Sequence, residues 1–248
     1  MDEALSDSLP GFFARTRLEV SDGNRSMTMT DFLATASSGR RTQQERSDTM
    51  RALLLQATIE LLYERGYSRL TTLDVAKYAQ VSRGALTHHF AHKEDLVVEA
   101  ISWQLRSASD ELEEFVANIE AGPLDTDRII DHLWEMLSDR LFHITMEYLP
   151  EARNNTPFRE RLMPVAAVFH AALDRIWLHL SRTSGLSAER AQTILNATMC
   201  LMRGMVAQQI LRNDESYYED LLQYWRDLLR REIAQAATSE NIKRKKDR

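Results

Sequence analysis

Turn-forming residues are scarce in this chain, with 8 Gly and 5 Pro among 248 residues, where an average protein has about one in eight. A backbone with so few turns and breaks folds into long uninterrupted elements. Leu, Ala, Glu and Arg fill the stretches between them, and these are good helix formers. Collagen-like, turn-rich β and low-complexity disordered architectures are therefore excluded, and the expected fold class is all-α. A length of 248 residues suits one large or two small domains with a sizeable core. The one cysteine, Cys200, allows neither an intramolecular disulfide nor a cysteine-based zinc site, which fits a reducing, cytoplasmic setting. No apolar run nears the ~20 residues that span a bilayer. The start, Met1-Asp2-Glu3, lacks the basic and apolar stretches of a secretory signal. A soluble cytoplasmic protein with no membrane partner is expected.

The formal net charge of −6 hides a division along the chain. Residues 40–93 carry nine Lys/Arg against five acids, net +4, and residues 94–242 carry 14 against 25, net −11. A short basic segment is thus joined to a large acidic body. The local field governs what such a segment attracts, so an acidic total does not exclude nucleic acid.

Residues 1–44 lack helical periodicity and read as a flexible N-terminal tail, in which Met27 and Met29 are alternative starts. From Glu45 the pattern is helical. Met50, Leu53, Leu54, Ala57 and Leu61 fall at i, i+3, i+4, i+7 and i+11, one apolar stripe, and Gly66 ends it. Thr71, with Asp74 three residues on, caps a short helix from Thr72 to about Ala79. Ser82 caps a second, over 83–90. A long helix runs from Lys93 towards Ala121, where Gly122-Pro123 stops it. Further helices are expected at 124–139, 140–154, 157–183, 187–212 and 215–238, with Pro164 kinking or splitting the third of these. Ile194, Ala197, Leu201, Met202 and Met205 form one stripe. Tyr218, Leu221, Leu222, Trp225, Leu229 and Ile233 form another. Residues 239–248 read as a basic, solvated C-terminal tail.

Two short helices joined by a tight turn, 72–79 and 83–90, have helix-turn-helix dimensions. The run Thr71-Thr72-Leu73-Asp74-Val75-Ala76 leads to Val81-Ser82-Arg83-Gly84-Ala85-Leu86. His88-His89-Phe90-Ala91-His92-Lys93-Glu94-Asp95-Leu96 closes the segment. Together these resemble the TetR (tetracycline-repressor-like) family of bacterial regulators, closely over 46–96 and beyond residue 100 only in helix count and order. The resemblance implies an N-terminal three-helix helix-turn-helix DNA-binding domain, 45–92. It also implies a larger C-terminal helical ligand-binding and dimerisation domain, 93–238.

Its site roles carry over residue by residue. Thr72 bonds a phosphate beside free helix N–H groups. Arg83 heads the recognition helix and takes guanine O6 and N7. Gly84 allows close approach, and Ala85 and Thr87 touch a thymine methyl. His88, His89 and Lys93 fix register on the backbone. Arg40 and Arg41 are candidates for an arm reaching a groove. The chain departs from the family pattern at Gln80, where Gly is usual, and at Thr87, where Tyr is usual. If the turn needs positive φ, Gln80 costs about 1 kcal/mol relative to Gly.

The family's effector cavity falls between helices of the larger domain, with Trp103, Trp134, His143, Met146, Glu147, Phe169, His170, Trp177 and Met199 as candidates. The implied partners are a palindromic double-stranded operator, a small organic effector, and a second copy of the chain through helices 187–212 and 215–238. No cofactor, metal or catalytic group is expected. His88 and His92 are i and i+4, yet Phe90-Ala91 breaks the helix between them. Cys200 reads as a core residue of its stripe. A repressor released by its effector is the main reading. An activator of the same family, an all-α enzyme using His and Glu of the helical body, and a dimeric scaffold remain alternatives.

Overall fold

The computed structural model describes residues 42–120 and 125–246, with side chains as far as 238. Arg40, Arg41 and the Gly122-Pro123 stop lie outside the described residues. Two compact units are resolved, one ending at Thr49 and the other beginning at Met50. In the first, Thr42 opens helix α1 with a capping box. The Glu45 N–H donates to Thr42 Oγ1 at 3.2 Å and the Thr42 N–H donates to Glu45 Oε2 at 2.7 Å. Thr-x-x-Glu is a helix-start signature, so α1 begins before the expected Glu45.

Helix α1 spans Gln43–Arg69, with Gly66 as a kink inside it. The short helices α2 (Thr72–Tyr78) and α3 (Arg83–His89) follow, then the long α4 (Lys93–Glu120). Next come α5 (Thr126–Met136), a π-helical turn Leu137–Leu141, α6 (Phe142–Asn154), α7 (Thr156–Ser184), α8 (Ala188–Gln209) and α9 (Glu215–Lys246). The described residues contain no strand.

The core of the second unit forms where α4 packs on α7 and α7 on α8. Leu96, Ala100, Ile101, Leu112 and Val116 of α4 are buried, as are Phe158, Leu162, Phe169, Leu173 and Ile176 of α7. These recur at three- and four-residue steps, the stripe of an amphipathic helix. Polar contacts place α9. Trp225 Nε1 donates to Thr198 Oγ1 of α8 at 2.9 Å, and Arg226 and Arg230 pair with Asp131 and Asp127 of α5.

Four differences from the sequence reading have physical causes. The helix expected over 124–139 stops at Met136, because Asp139 leaves helical geometry (φ −73°, ψ −161°). His143 Nδ1 lies 2.9 Å from the Asp139 carbonyl this exposes. Pro164 does not split α7, which runs unbroken from Thr156 to Ser184; it is exposed, so the carbonyl that its missing N–H leaves is open to solvent. Helix α9 continues to Lys246 instead of ending at 238, since neither Gly nor Pro interrupts it. Cys200 is exposed. The buried side of α8 runs through Leu195, Thr198, Met199 and Met202, and Cys200 lies one helical step off it.

Candidate nucleic-acid interface

Each short helix is set by its own cap. The Thr71 hydroxyl accepts from the Asp74 N–H at 3.2 Å and donates to Asp74 Oδ2 at 2.5 Å. That hydroxyl, with Arg65 and Lys77 beyond it, holds the Asp74 carboxyl below the usual carboxylate range. Ser82 Oγ accepts from the Ala85 N–H at 3.1 Å and starts α3. Between the helices the Val81 N–H reaches the Ala76 carbonyl at 2.9 Å and the Gln80 N–H reaches the Lys77 carbonyl at 3.1 Å. This pair of bonds is a Schellman motif, whose turning residue is left-handed. Gln80 is that residue, with φ 56°, and it is the one non-glycine with positive φ among the described residues. Replacing Gln80 with Gly is expected to stabilise the protein by about 1 kcal/mol. Thermal melts of the two proteins measure this, and a lower melting temperature for the variant would refute it.

Leu86 and Phe90 bury one side of α3. Arg83, Gly84, Thr87 and His88 are exposed on the other side, with Ala85 and His89 at its edges. A Cβ added to Gly84 would meet only Ser82 Oγ, at 3.9 Å. Nothing inside the protein therefore requires Gly there, and the bare backbone faces outward. Thr72 is half-buried at the start of α2. His88 and His89 lie edge to face at 5.6 Å. Burial, then His88 and Arg51, push the His89 imidazole below its ordinary value. His92 falls after the extended Phe90, outside α3, so it shares no helix face with His88.

Lys93 is tied to the protein itself. Its Nζ donates to the Tyr67 carbonyl at 2.6 Å and lies 4.1 Å from the centre of the Tyr67 ring. Burial lowers the ammonium's pKa against the pull of Glu151 and Glu94. Burial and the same two carboxylates push the Tyr67 phenol up to about 12. Tyr67 packs on Phe158 of α7, Asn155 Nδ2 donates to Glu94 Oε1 at 3.2 Å, and Arg161 pairs with Asp95 at 2.9 Å. An open cleft of about 500 Å³ lies here, lined by Tyr67, His92, Lys93, Glu94, Asp95 and Arg161.

Residues 54–100 match the family model described as bacterial regulatory proteins, tetR family. The HTH-type transcriptional regulator CymR of Pseudomonas putida is 26% identical over 180 residues, covering 73% of this chain and 89% of its own. The HTH-type transcriptional repressor BepR of Brucella suis is 37% identical over 73 residues, 29% of this chain and 34% of its own. This chain's helix-turn-helix segment is that of the tetR family. The fold agrees: a TetR transcription regulator from Haloarcula marismortui superposes with a TM-score of 0.57 at 17% identity, over 73% of this chain and 96% of that one. The chain is thus a DNA-binding regulator, not an enzyme. No helix of the described residues is long and apolar enough to cross a membrane.

In this chain the nine cavity candidates are dispersed. Phe169 and Met199 are buried, and Trp103, Trp134, Met146 and Trp177 are half-buried. Trp134 stacks on Tyr218 of α9, and Trp177 Nε1 donates to Asp174 of its own helix at 3.0 Å. His170 is exposed. His143 and Glu147, one turn apart on α6, both meet α1. The His143 ring lies 5.9 Å from Tyr63, and the Glu147 carboxylate rests against Gly66. None of the nine lines the cleft at Lys93.

Two contacts carried no sequence signal. Arg140, from the π turn, pairs with Glu60 of α1 while its guanidinium lies 5.0 Å from the centre of the Tyr63 ring. The Lys93–Tyr67 tether is the other. Both join the helix-turn-helix segment to the helical body.

Proposed function

We propose that the chain is an effector-responsive repressor that binds a palindromic operator as a homodimer. Residues 45–92 act as the DNA-binding domain and residues 93–238 as the effector-binding and dimerisation domain. The observation that carries the DNA reading is the outward face of α3. Arg83 heads it, Gly84 leaves it open, and it stays exposed while Leu86 is fully buried behind it. Thr72, His88, His89 and Lys93 take phosphates and fix register, and Arg83, Gly84, Ala85 and Thr87 meet base edges. The relative named as a repressor supports the sign of regulation.

Dimerisation is assigned to α8 and α9. Ile210, Leu211 and Tyr224 stay 63%, 93% and 62% exposed, and Leu221, Trp225 and Leu228 are half-buried. These apolar groups are left for a second copy. The effector is a small organic molecule between helices of the body, near Trp103, Trp134, His143, Met146, Glu147, Phe169, His170, Trp177 and Met199. Its binding tilts α4, whose first turn is wired to α1 by Lys93 and to α7 by Glu94 and Asp95. The two recognition helices then lose the ~34–36 Å spacing of successive major grooves. Moving the operator-competent form from dominant to rare requires a preference of about 5.5 kcal/mol for the other form.

Fluorescence anisotropy on tiled duplexes flanking the protein's own gene, at two salt concentrations, tests the reading. Tight binding to one fragment is expected. With six or more phosphate contacts, affinity falls on the order of a thousandfold between 50 and 200 mM salt. No binding to any duplex at low salt would overturn the DNA reading.

A further inference from the structure

Helix α7 is apolar on both of its sides. Phe158, Leu162, Phe169, Leu173 and Ile176 face the core, while Pro164, Ala167, Val168 and Ala171 are exposed on the side away from it. Val168 is 55% exposed, and Met163 at the edge of this outer strip is 60% exposed. Charge stands at the two ends of the strip, with Glu160 one turn before Pro164 and Arg175 one turn after Ala171, both exposed. At 3.6 residues per turn these six residues, Glu160 to Arg175, fall within about 100° of the helix circumference. We infer that this outer face of α7 is a self-association surface, on which α7 of a second copy lies antiparallel. It joins two of the homodimers assigned to α8 and α9, and it does not depend on the DNA reading.

The order of residues along the strip selects the occupant. A two-fold contact uses the same patch on both copies, so that residue i meets j and j meets i. With the axis at the Ala167–Val168 bond, Ala167 lies opposite Val168, Pro164 opposite Ala171, and Glu160 opposite Arg175, each pair occurring twice. Apolar groups then meet apolar groups along the middle, and opposite charges meet at both ends. A parallel pairing would set Glu160 against Glu160 and Arg175 against Arg175, which like-charge repulsion disfavours.

A second feature marks the Glu160 end. Pro164 has no N–H, so the Glu160 carbonyl has lost its helical donor on the exposed side of an unbroken helix. Carbonyl and carboxylate of one residue thus stand together where Arg175 of the second copy arrives, and a guanidinium brings five N–H donors in a planar fork. Within its own chain Arg175 meets Glu113 in an exposed contact of 3.4 Å, which leaves donors for an outside acceptor. One helix pair about four turns long is small beside the ~1,200–2,000 Å² of standard stable interfaces. The pairing is therefore expected at micromolar concentrations, with dimer and tetramer in exchange.

Analytical ultracentrifugation of the full-length protein, from micromolar to a few hundred micromolar, tests this. The mass should rise from dimer to tetramer, and a dimer at every concentration would overturn the inference and leave the strip to a different partner. Val168→Glu buries two carboxylates at the axis and should abolish the tetramer without moving the melting temperature, since the position is exposed. A tetramer that persists would overturn the assignment to α7. A monomer would keep the α7 pairing and overturn the assignment of dimerisation to α8 and α9. Glu160→Arg and Arg175→Glu each place like charges at both ends and should weaken association at least about tenfold. Loss of the Glu113 contact in Arg175→Glu is a minor effect, because an exposed pair contributes little. An equimolar mixture of the two single variants sets opposite charges at both ends again, so the tetramer should return. Failure of the mixture to associate would overturn the antiparallel pairing.

Discussion

Arg83→Ala is expected to erase the preference for operator over unrelated duplex while leaving the fold intact. Arg83 is the first residue of α3, directly after the Ser82 cap, and it is exposed. Its guanidinium matches the O6 and N7 acceptors of guanine, a bidentate contact worth about 1–3 kcal/mol. A two-fold dimer makes the contact twice, so the operator loses about 2–6 kcal/mol, on the order of thirtyfold to ten-thousandfold. Unrelated duplex is held through phosphates and should weaken far less. The Ser82 cap bonds the Ala85 N–H and not the Arg83 side chain, and an exposed substitution that leaves cap and core intact changes stability by only about 0.5 kcal/mol, so the melting temperature should hardly move. Arg83→Lys separates charge from geometry. It keeps the cation and most of the salt dependence, yet loses the planar fork that spans both acceptors. Anisotropy against operator and scrambled duplex measures all three proteins. Equal weakening on both duplexes would make Arg83 a phosphate contact, and no weakening would remove it from the interface.

Local features of this protein could be read from sequence because local chemistry fixes them. Thr71 and Ser82 cap α2 and α3 through bonds reaching only three residues. Gln80, expected to need positive φ if the turn demanded it, adopts φ 56°. The same logic should have found the Thr42–Glu45 box, whose four-residue signature lies in plain view. Contacts across the chain had no such signal. Arg140 meets Glu60 across 80 positions and Lys93 meets Tyr67 across 26, and neither pair follows from periodicity. The π turn is hidden for a related reason. Leu137 and Leu141 continue the apolar pattern and stay buried, so the stripe runs on where the backbone does not. Cavity candidates are hardest to place. Aromatic and His residues at helical spacing are named by sequence, but the rotation of each helix decides what they face. His143 and Glu147 illustrate this by meeting α1.

That rotation puts α6 against the kink of α1, where Gly66→Ala is expected to lower stability by about 2 kcal/mol. Two effects compete to explain such a loss. Gly66 has φ 75° and ψ 165°, a combination essentially confined to glycine that strains other residues by about 1–3 kcal/mol. A Cβ there would also collide with the Glu147 carboxylate. The collision is the smaller effect, because Glu147 is exposed and its carboxylate ends a flexible side chain that swings into water. Alanine also restricts the unfolded chain, which returns roughly 0.4–1 kcal/mol. Backbone strain therefore dominates, and for a chain of this size the melting temperature should fall by roughly 4–8 °C. Glu147→Ala supplies the control. In that background Gly66→Ala should cost nearly as much as before, since removing the carboxylate relieves the collision and not the dihedral angles. Full recovery in the double variant would reverse the ranking. A melting temperature unchanged in Gly66→Ala alone would mean that α1 runs straight at no cost. The kink also sends the chain towards Tyr67, whose carbonyl holds Lys93 Nζ at the head of α4. Operator binding by Gly66→Ala, measured well below its melting temperature, should therefore weaken beyond what the unfolded fraction explains.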